Sequence, residues 1–314
     1  MTRRLIQLGP LAGIAVGAVT ATSPWWPIRP RSSAAIAQAL APWAALTGWP
    51  LAAAALVERQ RTAALAGVTL GVAGVGLRRW VRGGHAAGTV TGTGGVRVAH
   101  FNVWYLNSRP GAAGEVLAAV DADILILSEI TPSLRRCFIA AGLDERYPFS
   151  VDRSRHDPGG MAVWSRHPIS ELGHRRIRHE RIRVRLEHPD GMVLVDAIHT
   201  QSPVADPWHW ATDLAALARE PAPTEPTVLV GDFNAAWTHP GFRAIAERGW
   251  RDAHRTLGRG TDNSWRFDRR HHPRFVRLDH ALVNGSVDVD DVVDVDLPGS
   301  DHRGFVVTVT RRDP

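Results

Sequence analysis

The chain has 314 residues, 44% hydrophobic and 22% charged, with a single cysteine, Cys137, which together exclude a disordered chain, a fibrous repeat, an intramolecular disulfide framework and a Cys-rich zinc site. All 37 basic residues are arginine, and the net charge of +6 divides unevenly. Residues 1–85 carry nine arginines against Glu58, a net +8, whereas residues 86–314 carry 28 arginines against 30 acids, a net −2, so the larger part lacks the basic footprint of a nucleic-acid enzyme.

Three stretches without charge, residues 5–22, 34–57 and 62–77, predict about three transmembrane helices. A hydrocarbon core of about 30 Å needs about 20 helical residues, so the middle stretch is ample, the first adequate and the third short unless its flanking arginines snorkel. Trp25, Trp26, Trp49 and Trp80 fall at or near the predicted ends, where indoles favour the headgroup zone. Ala21-Thr-Ser23 would permit signal cleavage, but two further apolar segments favour retention. Arginines on the two sides nearly balance, so charge does not set the orientation. The expected organisation is a multi-pass membrane anchor at 1–82, a Gly/Thr-rich flexible tether at 83–95 and a catalytic domain at 96–314.

In that domain short apolar runs alternate with helical patterns. Residues 96–104 and 124–127 read as buried strands with an amphipathic helix at 111–120 between them. Residues 181–186 alternate Arg-Ile-Arg-Val-Arg-Leu, which predicts a strand with Ile182, Val184 and Leu186 inward; Asp190-Gly191 then turns into a strand at 192–198. Further strands are expected at 227–230 and 305–309, and helices at 132–141, 206–219 and 240–248. Hairpins mixed with crossover helices fit two packed sheets with helices outside, or one mixed doubly wound sheet.

Polar residues gather at the ends of these runs. Asn102 ends the first strand, Glu129 follows 124–128, His199 follows 193–198, and Asp232 and Asn234 follow 227–230 in Gly231-Asp-Phe-Asn234. Asp279 follows the run 275–278, and Ser300-Asp301-His302 precedes the last strand. Strand ends in an α/β fold converge on one crevice. Glu129, Asp232, Asn234 and Asp301 are hard oxygen ligands suited to Mg²⁺ or Mn²⁺ rather than zinc, and two histidines beside aspartates can hold or move a proton near neutral pH.

From about residue 96 to 309 the sequence resembles the endonuclease/exonuclease/phosphatase superfamily of Mg²⁺-dependent phosphodiesterases and phosphatases. The resemblance rests on the residues above, on Gly160-Met-Ala-Val-Trp-Ser-Arg-His-Pro-Ile169 and on Ser264-Trp265. It implies a four-layered α/β sandwich, two central mixed sheets flanked by helices. It also implies Glu129 as principal metal ligand with Asn102 and Asp301, Asp232 as the group that orients and deprotonates water, and Asn234 as the holder of that water or of a phosphoryl oxygen. His302, paired with Asp279, and His199 would stabilise transition-state charge. Ser128 stands where the family often has Gln, and Ser264 where it has Thr; no acidic partner for His199 is evident.

Such folds act on many phosphate esters, so the fold leaves the substrate open. Three apolar segments followed by this domain also resemble bacterial membrane proteins of the teicoplanin-resistance type, whose catalytic domain is thought to face outward. The preferred expectation is therefore a cell-membrane phosphohydrolase with an extracytoplasmic domain, acting on a lipid-linked or membrane-proximal phosphate. A tethered nuclease acting on extracellular DNA or RNA is the alternative, and a silent binding module a second one. Trp265, Arg266 and Arg270 are expected near the phosphate; no protein partner is inferable. Arginines at 175–185 read as a solvated strand face, as does the aspartate run at 288–296.

Overall fold

The computed structural model describes residues 2–27, 30–84, 95–176, 179–267 and 273–312. Most of the expected tether, and Arg270, lie outside the described residues.

Helices occupy all three apolar stretches: α1 (Thr2–Thr22), α2 (Ser32–Leu46) with α3 (Gly48–Val57), and α4 (Arg61–Arg82). The middle stretch is broken after Leu46, where Gly48 weakens the helix and Pro50 lacks the N–H that would bond back to residue 46. α2 and α3 therefore meet at a 43° bend. No single helix among the described residues is long and apolar enough to cross a membrane; α2 and α3 meet that criterion only as a bent pair.

The helices pack with small residues inward. Ala63, Ala64, Gly67, Gly71 and Gly74 lie with Leu70 and Leu77 on the buried stripe of α4, while Leu65, Val68, Val72 and Val75, at helical spacing on the opposite stripe, are exposed. Gly48 sits so close to α4 that a Cβ there would overlap the Gly67 carbonyl and the Gly71 amide. Leu11, Val16 and Val19 of α1 and Leu56 and Val57 of α3 are exposed as well.

The catalytic part begins with β1 (Val96–Asn102), α5 (Pro110–Ala119), β2 (Ile124–Ser128), α6 (Pro132–Ala140), α7 (Leu143–Arg146), β3 (Phe149–Arg153) and β4 (Met161–Ser165). It continues with β5 (Ile169–Arg176), β6 (Glu180–Leu186), β7 (Val193–His199), α8 (Pro207–Arg219), β8 (Thr227–Asp232), α9 (Pro240–Ala246), β9 (Arg251–Asp252) and α10 (Ala253–Thr256). The last strands are β10 (Asp279–Val283), β11 (Val287–Asp296) and β12 (Arg303–Arg311). They form two six-stranded mixed sheets, ordered β11-β12-β1-β2-β4-β3 and β5-β6-β7-β8-β10-β9. Only β1/β2 and β7/β8 pair in parallel, in register Asn102 to Ser128 and His199 to Asp232; the other pairs are antiparallel.

Alternation assigns one face of each sheet to a shared core, with Val98, Ile126 and Val163 meeting Ile182, Val184, Val195 and Val228. The opposite face of the first sheet packs Phe101, Leu127 and Trp164 against Leu117, Leu134 and Phe138 from α5 and α6. The opposite face of the second packs Ile198, Leu229 and Leu282 against Trp210, Leu214, Phe242 and Ile245 from α8 and α9. These are the four layers the resemblance implies, and the inward side chains of β6 are those the alternation selected.

Two expectations are corrected. Residues 275–278 form no regular strand, only a bridge between Val276 and Trp265, so Asp279 opens β10 rather than following a strand. β3 and β5 carried no readable pattern, since β3 is an edge strand exposed on much of both faces. The arginines of β6 also do more than meet water: Arg181 and Arg183 both bond the buried Asp196 on neighbouring β7.

The helical region docks directly on the sandwich. Arg255 Nη2 donates to the Trp80 carbonyl at 2.9 Å, Arg82 Nε to the Gly258 carbonyl at 2.9 Å, and Trp43 Nε1 to the Phe275 carbonyl at 2.7 Å. His239 accepts the Ala236 N–H at Nδ1 and so donates from Nε2 to the Ala35 carbonyl of α2, 2.9 Å away.

Candidate active site

The two parallel pairs, β1/β2 and β7/β8, end at the same edge of the sandwich, which brings Asn102, Glu129, His199 and Asp232 together from two sheets. Asn102 bridges them: its Nδ2 donates to Glu129 Oε1 at 2.9 Å and to Asp232 Oδ2 at 3.0 Å. Its Oδ1 accepts the Trp104 N–H at 2.9 Å, and the turn so made delivers the Tyr105 N–H to Glu129 Oε2 at 3.2 Å. Glu129, Trp104 and Asn234 have φ of 59°, 55° and 46°, so three of the four non-glycine residues with positive φ among the described residues stand at this site. Left-handed backbone at such residues is strained and persists only where the surroundings impose it. Gly231, at φ 154°, is required for a different reason: a Cβ there would overlap the Ile198 carbonyl across the β7/β8 ladder.

Asp279, on β10 opposite Asp232, anchors a proton-handling chain. Its Oδ2 accepts from His302 Nδ1 at 2.8 Å and from Ser264 Oγ at 2.6 Å, and Ser264 Oγ accepts the Leu278 N–H at 3.0 Å. A hydroxyl at 264 therefore does what the family's threonine would do. His302 Nε2 lies 3.8 Å from Asp232 Oδ2, and His199 Nε2 lies 3.7 Å from the same oxygen. His199 thus meets Asp232, the partner the sequence did not reveal. Asn234 holds its place through its N–H to Asp232 Oδ1 at 2.7 Å and its Nδ2 to the Thr200 carbonyl at 3.0 Å.

The electrostatics separate these groups into roles. Burial, then the neighbouring Asp279 charge, push Asp232 up to about 7, within reach of physiological proton exchange. Burial alone would raise Asp279 too, but the charge and hydrogen bond of His302 outweigh it and hold Asp279 at about 2. For His302, burial opposes protonation and is overcome by Asp279 and Asp232, which raise it well above the ordinary imidazole value. Burial, and then the neighbouring His179, His302 and His100, keep His199 well below that value and neutral. Glu129 is raised mainly by burial.

Whether a divalent cation fits is decided by the oxygens. Asp232, Asp279 and His302 bring ligand atoms within 4.8 Å of one another, but Asp279 is engaged by His302 and Ser264. Glu129 and Asp301 face the same cavity, their charges act on one another, and Asp301 Oδ1 is buried without a partner while Trp265 Nε1 steadies Oδ2 at 3.3 Å. The buried Glu129 carboxylate and the unpartnered Asp301 oxygen are a hard-cation donor set that fits Mg²⁺ or Mn²⁺, and Asn102, whose Nδ2 faces Glu129 and whose Oδ1 takes the Trp104 N–H, holds the Glu129 carboxylate in place.

The structure brings together every expected site residue among those it describes except Arg266, which is half-buried and acts on Asp296 rather than facing the cavity. Sequence reasoning missed two histidines. His100, fully buried, places Nδ1 3.5 Å from Asp279 Oδ1 and Nε2 3.1 Å from Ser128 Oγ, so Ser128, in place of the family's Gln, supports the ring behind Asp279. His179 Nδ1 lies 2.9 Å from His199 Nδ1. The strand position of His100, in an otherwise apolar run, was the available signal. At the far end of the first sheet Asp123, His167 and His188 also cluster, but His188 Nδ1 accepts the Asp190 N–H, which puts its proton on Nε2 facing Asp123 and leaves no lone pair there for a metal.

A family model described as the Endonuclease/Exonuclease/phosphatase family matches residues 99–302. No curated protein matches the chain. Among solved structures it is similar to D. rerio TDP2 complexed with single strand DNA product, with a TM-score of 0.55 and 16% identity over 68% of this chain and 98% of that one. It is also similar to a functionally unknown conserved protein from Enterococcus faecalis V583 (TM-score 0.52, 14% identity, 69% and 100% covered) and to an endonuclease/exonuclease/phosphatase from Bacteroides vulgatus (TM-score 0.52, 15% identity, 70% and 100% covered). At these identities the structural likeness speaks for the fold.

Proposed function

Because this chain belongs to the endonuclease/exonuclease/phosphatase family and is a metal-dependent hydrolase acting on ester bonds, we propose that it is a membrane-anchored phosphohydrolase of a lipid-linked or membrane-proximal phosphate. The observation that carries the reading is the helical region docked beside the site, whose contacts are made mostly by alanine and glycine, with Ile14, Leu70 and Leu77 among them, while many of its leucines and valines are exposed. A helical bundle in water buries its large apolar side chains; helices in lipid instead use glycine and alanine for close approach and turn leucine and valine outward. The exposed arginine-poor surface of α1, α3 and α4 is then the lipid face, and the domain works at the membrane surface with its net charge near −2 unsuited to a polyanionic duplex.

The residues divide the chemistry. Glu129, steadied by Asn102, and Asp301 would hold a divalent cation, which would supply charge neutralisation at the phosphoryl group. Asp232 accepts the proton of the attacking water, which its position near neutral pH permits, and Asn234, in the cavity lining, orients that water or a phosphoryl oxygen. His302, charged and oriented by Asp279, presents Nε2–H to the oxygens where negative charge develops. Neutral His199 offers a hydrogen bond at the same centre without adding charge.

The test uses the detergent-purified full chain with Mg²⁺, scoring phosphate release from a polyprenyl pyrophosphate and nicking of supercoiled plasmid side by side, with Asp232→Ala as the blank. Phosphate release without nicking is expected. Nicking that disappears in Asp232→Ala would replace this reading with a surface nuclease, and absence of both activities would remove the proposed substrate class.

A further inference from the structure

The cavity at the catalytic edge, about 430 Å³, is walled on one side by a helix from outside the sandwich. Glu129, Asp301, His302 and Asn234 form its polar end. Away from them it is lined by Ile36 and Leu40 of α2, with Phe267, Phe275 and Val204 facing them from the sandwich. α2 is fixed in this place by the Trp43–Phe275 and His239–Ala35 hydrogen bonds and by Ala39, which packs against Val276 and Leu278. Ile36, Val204 and Phe267 are nonetheless exposed, at 39%, 63% and 63%, although each borders the cavity. A water-soluble phosphate would leave that apolar wall facing water.

We propose that α2 is the specificity wall of the enzyme: a single hydrocarbon chain of the substrate lies between α2 and the side chains of Trp265, Phe267, Phe275 and Leu278 while its phosphate sits at Glu129, Asp301 and His302. The proposal rests on the phosphohydrolase reading and commits to one occupant, an alkyl or prenyl chain esterified to the phosphate. The split in the lining supports the choice: Ile36, Ala39 and Leu40 of α2 and Phe267, Phe275, Val276 and Leu278 are apolar, whereas Glu129, Asp301 and His302 at the other end suit a phosphate and its cation. Geometry supports it too, since α2 belongs to the same helical region whose exposed apolar faces meet lipid, and the groove runs from that region to the catalytic edge.

The probe is a ladder of monoalkyl phosphates from butyl to decyl, titrated calorimetrically into the full chain in lipid nanodiscs with empty nanodiscs subtracted. Burial of each methylene predicts a tightening of about two- to fourfold per carbon until the groove is full. Ile36→Gln and Leu40→Gln should each reduce the decyl-to-butyl affinity ratio by at least tenfold; as a ratio within one preparation, it is insensitive to a loss of folded protein. An affinity independent of chain length in the unsubstituted protein overturns the proposal, and so does a ratio unchanged in both variants. Turnover of methyl p-nitrophenyl phosphate, measured on the same nanodiscs, reads the underlying hydrolase separately. Turnover without chain-length dependence removes the groove alone, and chain-length dependence without turnover leaves the groove standing and removes the hydrolase reading.

Discussion

The two halves of this molecule are built on opposite rules. In the sandwich large aromatics such as Phe101, Phe138, Trp164 and Phe305 are fully buried, whereas in the helical region the inside is mostly small, with Ala45, Ala55, Ala63 and Gly67 beside Leu70 and Leu77, and Leu65, Val72 and Val57 are outside. Under the proposed membrane anchoring, each arrangement suits its own solvent, water for one and hydrocarbon for the other. The difference teaches that α2, which belongs to the second region but lines the cavity of the first, is where the two packing patterns meet.

The largest effect should come at the catalytic edge. Asp232→Asn should lower turnover by about 10²- to 10⁴-fold, the range of a general base, while leaving the melting temperature equal or higher, because it removes a buried carboxylate that faces Asp279. Loss of activity with a lower melting temperature would mean that Asp232 is structural.

The same comparison gives a pair of stability tests. Phe138→Ala should cost about 3–5 kcal/mol by opening a cavity in the α5–α6 layer, whereas Val72→Ala, on the outer face of α4, should stay within about 0.5 kcal/mol. Equal costs in detergent-solubilised protein would erase the distinction between the regions.

Acid should act where the regions join. Burial lowers His239 and His254 from 6.5 to about 4 in the folded chain. Unfolded, each ring takes its proton near 6.5, so between pH 6.5 and 4 the unfolded chain binds more protons and acid destabilises. The contribution of these neutral rings is complete above pH 6.5 and lost as pH falls toward 4, by up to about 3 kcal/mol each. Protonation of His239 also removes the lone pair that accepts the Ala236 N–H, loosening its hold on α2. Melting temperatures from pH 8 to 4 check this, and His239→Gln should flatten the slope.

The smallest effect belongs to the surface: Arg153→Ala, which breaks a half-exposed pair with Glu171, should cost about 0.2–1 kcal/mol, less in salt. A larger loss in chemical denaturation would mean that the β3/β5 edge carries more than solvated charge.

The site was legible in the sequence because strand ends in an α/β fold are few and converge, so the polar residues that end apolar runs, from Asn102 to His302, pointed to one place. What was hidden is long-range. The partner of His199 is Asp232, in register on the adjacent parallel strand, and the role of Ser128 exists only through His100; neither relation has a local spacing. Asp279 was placed at the wrong end of a strand because Phe275–Leu278 looks apolar for a different reason, contact with α2 and the cavity. The helical lengths were readable from charge-free runs, but the docking of α2 was not, since it depends on a partner surface supplied by His239, Phe275, Val276 and Leu278.

The central claim is that one protein holds a lipid-facing and a water-facing region with a shared site, and cysteine accessibility tests it most directly. With Cys137→Ser as background, Val72→Cys and Asp290→Cys would be exposed separately to a membrane-impermeant maleimide, in proteoliposomes and again after detergent solubilisation and denaturation. The account predicts that position 290 is labelled when its side of the membrane is open to the reagent, and that position 72 is labelled only after denaturation. Free labelling of position 72 in intact, opened vesicles would contradict it and return the helical region to water.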